Sequence, residues 1–102
     1  MPRLLALAAP HVLAQALRTT PVDTVELALT QRGQSASTVR QRLGPPAQVI
    51  ALPTEYRVER DRNGATAIRL EREAWVYPGN RLVGDAIITF TNGYVESAGR
   101  KK

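Results

Sequence analysis

Three turn signals in the second half of the chain limit what it can fold into. Asn63-Gly64, Pro78-Gly79-Asn80 and Asn92-Gly93 are separated by stretches in which apolar and polar residues alternate. Asn and Gly accept the positive φ values that tight hairpin turns demand, so Asn-Gly between alternating stretches is a strong hairpin signal. Everything beyond Pro46 therefore reads as strands. A three-residue loop Arg62-Asn63-Gly64 pairs Val58 with Ile68 and Tyr56 with Leu70, whereas a two-residue turn sets Val58 against Arg69. Apolar matching favours the longer loop.

Trp75 and Tyr77 are odd-numbered while Ile68 and Leu70 are even, so one unbroken strand would send the two pairs to opposite faces. A bulge or break near Arg72-Glu73 restores the phase. A four-residue loop from Pro78 to Arg81 then sets Tyr77 against Leu82 and Trp75 against Gly84. A two-residue turn at Asn92-Gly93 sets Val95 against Phe90. The expected core face is Ile68, Leu70, Trp75, Tyr77, Leu82, Ile88, Phe90 and Val95.

Upstream, residues 33–46 read GQSASTVRQRLGPP. Ser35 suits a helix N-cap, Val39 and Leu43 form an i, i+4 apolar stripe, and Gly44 suits the left-handed position that ends a helix. Pro45-Pro46 forbids continuation because neither residue has an N–H to donate. Before it, Thr20-Pro21-Val22-Asp23 resembles a helix start, with Thr20 as N-cap and Pro21 at the first helical position, followed by Val22, Val25 and Leu29 at helical spacing. Val25, Leu27 and Leu29 also alternate like a strand. The fold class that follows is α+β, with two N-terminal helices packed on one face of a four-stranded antiparallel meander.

A chain of 102 residues with 43% hydrophobic content builds one domain with its own core. It has no Cys, which excludes disulfides, a thiol nucleophile and a Cys-based zinc site. The net charge of +5 comes from 14 basic and 9 acidic residues. Many charges alternate in sign, as in Arg57-Val58-Glu59-Arg60-Asp61-Arg62 and Arg69-Leu70-Glu71-Arg72-Glu73, which marks a solvated face more than a nucleic-acid stripe.

Residues 1–16 combine Arg3, an apolar run from Leu4 to Leu13 and the small-x-small triplet Ala14-Gln15-Ala16. This is the pattern of a cleaved secretory signal, leaving 17–102 as a periplasmic domain. Pro10 and His11 interrupt the run, and an amphipathic first helix packed on the domain is the other reading.

The order Gly33-x-Ser35, Val39, Leu43-Gly44-x-Pro46, Trp75-x-Tyr77 and Phe90-x-Asn92-Gly93-x-Val95 resembles the SmpA/OmlA family over roughly residues 30–97. Its BamE-type members are accessory lipoproteins of outer-membrane β-barrel assembly. The resemblance implies two helices on a small antiparallel sheet, as in β-lactamase-inhibitor-protein repeats, and a role in the cell envelope. The lipobox Cys of BamE-type members is missing, so it points to a soluble relative without a lipid anchor, and no binding residues carry over.

No enzyme constellation emerges. His11 has no triad partners nearby, Ser35 and Ser37 sit where hydroxyls cap a helix, and the glycines form no phosphate-binding loop. Neither a cofactor nor a metal site is expected. The strand phase puts Val76, Val83 and Ile87 on the outer sheet face, with Val76 opposite Val83 and charged neighbours that include Arg69 and Arg81. The expectation is a non-enzymatic interaction module whose partner is an envelope protein or peptide docked on that patch. Peripheral association with a membrane is also open; nucleic acid and small-molecule substrates are not expected. The rival reading is a winged-helix DNA-binding protein with residues 35–43 as recognition helix and the Asn63-Gly64 hairpin as wing. The stop after Leu43 and the strands beyond the wing count against it.

Overall fold

A computed structural model describes residues 18–102; the signal reading of residues 1–16 lies outside the described residues. Among the described residues two short helices, α1 (Thr24–Leu29) and α2 (Ala36–Leu43), precede six strands. These are β1 (Gln48–Ala51), β2 (Glu55–Asp61), β3 (Gly64–Leu70), β4 (Arg72–Tyr77), β5 (Asp85–Thr91) and β6 (Tyr94–Lys101). They form two sheets, a four-stranded antiparallel one in the order β1-β4-β5-β6 and a separate two-stranded β2-β3 ribbon.

This overturns the expected two-helix, four-stranded meander. The β2-β3 hairpin leaves the sheet, and β1, a short strand between Pro46 and Pro53, takes the place beside β4. The helices are not an equal pair of covers either. Helix α2 buries Val39 and Leu43, whereas α1 buries none of its residues.

The start of α1 shows why. Asp23, not Thr20, is the N-cap: its carboxylate accepts from the Glu26 N–H at 2.7 Å, and Glu26 accepts from the Asp23 N–H at 3.1 Å. That reciprocal box satisfies two donors at once, which a lone Thr cap cannot do. The expected Val22, Val25, Leu29 stripe is therefore broken: Val22 lies before the helix and in the core, while Val25 and Leu29 are exposed.

Helix α2 follows its sequence signals. The Ser35 hydroxyl accepts from the Thr38 N–H, and Gly44, at φ +83°, donates its N–H to the Arg40 carbonyl. Segment 33–36 is also stitched to the β5-β6 turn, with Gly33 N–H on the Val95 carbonyl, Val95 N–H on the Gln34 carbonyl and Ala36 N–H on the Gly93 carbonyl. These bonds hold α2 over the sheet.

The core consists of Val22, Val39 and Leu43 against Trp75, Tyr77, Ala86, Ile88, Phe90 and Val95. Trp75 and Phe90 meet with ring centroids 4.3 Å apart and planes tilted by 49°. Both buried polar tips find partners: the Trp75 indole N–H donates to Glu73 and the Tyr77 hydroxyl donates to the Gly44 carbonyl.

Of the expected core, Ile68 and Leu70 are half-buried and Leu82 is 80% exposed. Tyr77 faces Ala86 and Trp75 faces Ile88, because the β4-β5 connection runs over residues 78–84 and is not a four-residue turn. Asn80 organises that loop, its side chain accepting from the N–H groups of Leu82 and Val83 while its carbonyl accepts from Gly84. The expected phase break is present, with Glu71 standing outside both β3 and β4. The Asn92-Gly93 turn sets Phe90 opposite Val95, as the alternation requires.

Candidate functional site

Strands β2 and β3 form an arm that belongs to neither face of the main sheet. All seven residues of β2 are exposed, including Tyr56 at 65% and Val58 at 56%. Its turn is Arg62-Asn63, with Asp61 opposite Gly64 and the Asp61 carboxylate accepting from the Asn63 N–H. Val58 therefore pairs with Ala67 and Tyr56 with Arg69, which corrects the expected Val58–Ile68 and Tyr56–Leu70 pairs. The reason is physical: apolar matching sets register only where one face is buried, and this ribbon buries neither completely.

The arm has two chemically different faces. Tyr56, Val58 and Arg60 share one with Arg69, Ala67 and Ala65. The other carries Glu55, Arg57, Glu59 and Asp61 beside the half-buried Leu70 and Ile68. Residues 55–71 hold four arginines and four carboxylates, so the arm is electrically balanced. Arg57 pairs with Glu59 at 3.4 Å, and Arg69 pairs with Glu71.

The root of the arm is fastened by charge. Arg72 reaches Glu96 at 2.9 and 3.0 Å and Glu55 at 3.1 Å, bridging the sheet to the first residue of β2. The Arg72 guanidinium, with help from the Thr91 hydroxyl, holds the Glu96 carboxyl below the usual carboxylate range. A cleft opens there between Arg57 and Leu70 of the arm and Arg32 and Tyr94 of the body. A second cleft, lined by Pro21, Pro45, Tyr77 and Pro78, has Arg18 at its rim. That guanidinium is engaged by Glu26 at 2.8 Å and by the Leu43 carbonyl.

The structure divides the residues singled out from the sequence. Val76 and Ile87 are strand neighbours on the outer sheet face, but Val76 is only 8% exposed. Val83 lies half-buried in the 78–84 loop and is not paired with Val76. Arg69 belongs to the arm and Arg81 to the 78–84 loop, so the two do not frame a single patch on strands of one sheet. Missed by the sequence reading were Tyr56 and Val58 as solvent-facing residues. Their alternation with charges is the same whether a strand packs on its own core or stands free.

Among the described residues there is no group of His, Asp or Glu arranged to hold a metal, and no helix long and apolar enough to cross a membrane. No family model, curated protein or solved structure matches the chain.

Proposed function

We propose that the chain is a non-enzymatic protein-interaction module of the bacterial envelope, working in the periplasm and holding its partner with the β2-β3 arm. One observation carries this reading: a hairpin that, among the described residues, pairs only with itself presents Tyr56 and Val58 to solvent. A two-stranded ribbon is marginal on its own, and its open edges are templates for a further strand. Adding a strand from another chain supplies backbone hydrogen bonds for affinity and side-chain alternation for specificity.

Charge favours a protein over a nucleic acid. Phosphate binding needs an excess of cations, whereas the arm is balanced and two of its arginines are already paired with carboxylates. The envelope setting draws support from the signal-like residues 1–16 and from the likeness to the SmpA/OmlA motif order, which also suggests an accessory part in outer-membrane assembly.

The test is quantitative capture from a periplasmic extract, comparing the parent with a Tyr56→Ser/Val58→Thr variant of equal melting temperature. The variant is expected to lose the captured proteins. Equal capture by both, or tight salt-sensitive binding of duplex DNA, would overturn the reading.

A further inference from the structure

Strand β2 has one edge on β3, and no described residue pairs with the other. Its sequence, Glu55-Tyr56-Arg57-Val58-Glu59-Arg60-Asp61, sets Arg57 on Glu59 and Tyr56 on Arg60 when reversed about Val58. We propose that this edge pairs antiparallel with the same edge of a second copy, giving a four-stranded ribbon β3-β2-β2-β3 with Val58 on the two-fold axis. The inference rests on the reading of the arm as the contact element and names its partner.

Symmetry limits the choices. Two identical antiparallel edges related by a two-fold axis normal to the ribbon keep matching faces on the same side, so a residue, not a gap, sits on the axis. With Val58 there, Arg57 of each copy stands opposite Glu59 of the other, and Tyr56 stands opposite Arg60. Arg57 and Glu59 already lie on one face, 3.4 Å apart. The dimer would close them into a square of alternating charge, each arginine between two carboxylates. On the other face Val58 meets Val58, flanked on both sides by an arginine over a tyrosine ring, which is an attractive arrangement.

Neighbouring registers pair only about five residues of the seven-residue strand. Moving the axis to Arg57 sets Arg57 on Arg57 and Glu55 on Glu59; moving it to Glu59 sets Glu59 on Glu59, although Arg57 then meets Asp61. Like charges directly opposite are destabilising. A parallel in-register pairing repeats the same clash at every charged position.

The outermost pair in the chosen register, Glu55 with Asp61, is acidic on both sides. Each carboxylate has a partner in its own chain, Arg72 for Glu55 and the Asn63 N–H for Asp61. Glu55 of one copy lies beside Asp61 of the other, so the two roots stand about 20 Å apart along the strands at the usual rise per residue.

A seven-residue edge is a small interface, so a reversible dimer is expected, with a Kd between about 1 μM and 1 mM. The experiment is sedimentation of the full chain over that concentration range at low salt. Arg57→Glu and Glu59→Arg are made singly and together, with melting curves recorded for each. Each single variant puts two like-charged pairs at the interface and should weaken association by about tenfold. The double variant restores both pairs with signs exchanged, and the heterodimer in an equimolar mixture of the two singles restores both, one exchanged and one as in the parent. Both should return to the parent's dissociation constant.

Singles that dimerise like the parent, or a mixture that fails to recover while every variant melts normally, would overturn the register. A parent that stays monomeric at the highest concentration overturns the self-pairing. It leaves the broader protein-binding reading to the capture experiment, where the Tyr56 and Val58 substitutions report on any partner.

Discussion

The side chain of Asn92 holds the backbone on both sides of the break between arm and sheet at Glu71. Its Oδ1 accepts from the Glu71 N–H at 2.9 Å and its Nδ2 donates to the Arg69 carbonyl at 3.2 Å. The Asn92 N–H donates in turn to the Glu71 carbonyl at 2.8 Å. A turn residue of one hairpin thus fixes the point where the other departs from the sheet.

Asn92→Gly keeps the positive φ of 50° accessible and removes only the side chain. Two backbone groups lose their partner at a partly solvated site, so the expected loss is about 1 kcal/mol. The more telling readout is local. Amide exchange over residues 55–71 should accelerate while Ile88 and Phe90 stay protected, because the arm shares no side chain with the core cluster. Uniform acceleration across the chain would show that Asn92 supports the whole fold.

Trp75 is the aromatic on which the core depends. It is nearly buried, stacks obliquely on Phe90 and anchors its N–H on Glu73 at 2.6 Å. Trp75→Ala should cost about 3 to 5 kcal/mol, the range for deleting a buried large aromatic. Against a typical stability of roughly 5 to 15 kcal/mol, that leaves little. A melting temperature within a few degrees of the parent would mean the ring is not packed as described.

These two sites mark where sequence reasoning succeeds and where it stops. Trp75, Tyr77, Ile88, Phe90 and Val95 were legible as core because their alternation is read out by a buried face, where a one-residue slip would expose every large side chain. The same alternation in Tyr56 and Val58 reads identically, yet those residues meet solvent. Nothing local tells a strand in a sheet from a strand in a free arm; the difference lies in which strand, β1 or β2, stands beside the sheet, and here it is β1 beside β4.

That competition was hidden because Gln48-Val49-Ile50-Ala51 is short and bracketed by prolines, with Val49 and Ile50 both partly exposed. The 78–84 loop departs from the alternation for a different reason. Its length is set by the hydrogen bonds of Asn80 and Asp85, not by apolar phase, so the apparent match of Leu82 with Tyr77 carried no weight. The α2 boundaries, in contrast, rest on capping chemistry that is local and therefore visible.

Tyr77 gives a pH prediction. Burial pushes its phenol from the ordinary value of 10.0 up to about 12, partly opposed by the charges of Arg40 and Arg18. A group whose folded pKa lies above its unfolded value contributes stability that is complete below the unfolded value. That stability is lost as pH rises through the folded one. Stability should therefore fall between pH 10 and about 12 in the parent. In Tyr77→Phe this decline should shrink, at a cost near neutral pH of about 1 kcal/mol for the lost bond to the Gly44 carbonyl. Spectrophotometric titration should show a tyrosinate step at about pH 12 that is missing from Tyr77→Phe; identical profiles for parent and variant in that range would contradict the burial of Tyr77.

The last prediction separates arm from body. Every member of the core cluster lies outside residues 55–70, and β1 pairs with β4 without help from the arm. The chain enters and leaves the arm at neighbouring points, since the Leu52 N–H donates to the Arg72 carbonyl at 3.0 Å. Replacing residues 55–70 with a short Gly-Ser link therefore closes a gap that the sheet already holds shut. Shortening a flexible loop lowers its closure entropy. What the body loses is the Glu55 contact of Arg72, whose guanidinium keeps Glu96, and the partial cover that Ile68 and Leu70 give and receive. The truncated chain should fold cooperatively, retain the near-ultraviolet signal of Trp75 and lose the ability to associate. Should it be unfolded, the arm is part of the stabilising core and its exposure cannot be set aside for a partner.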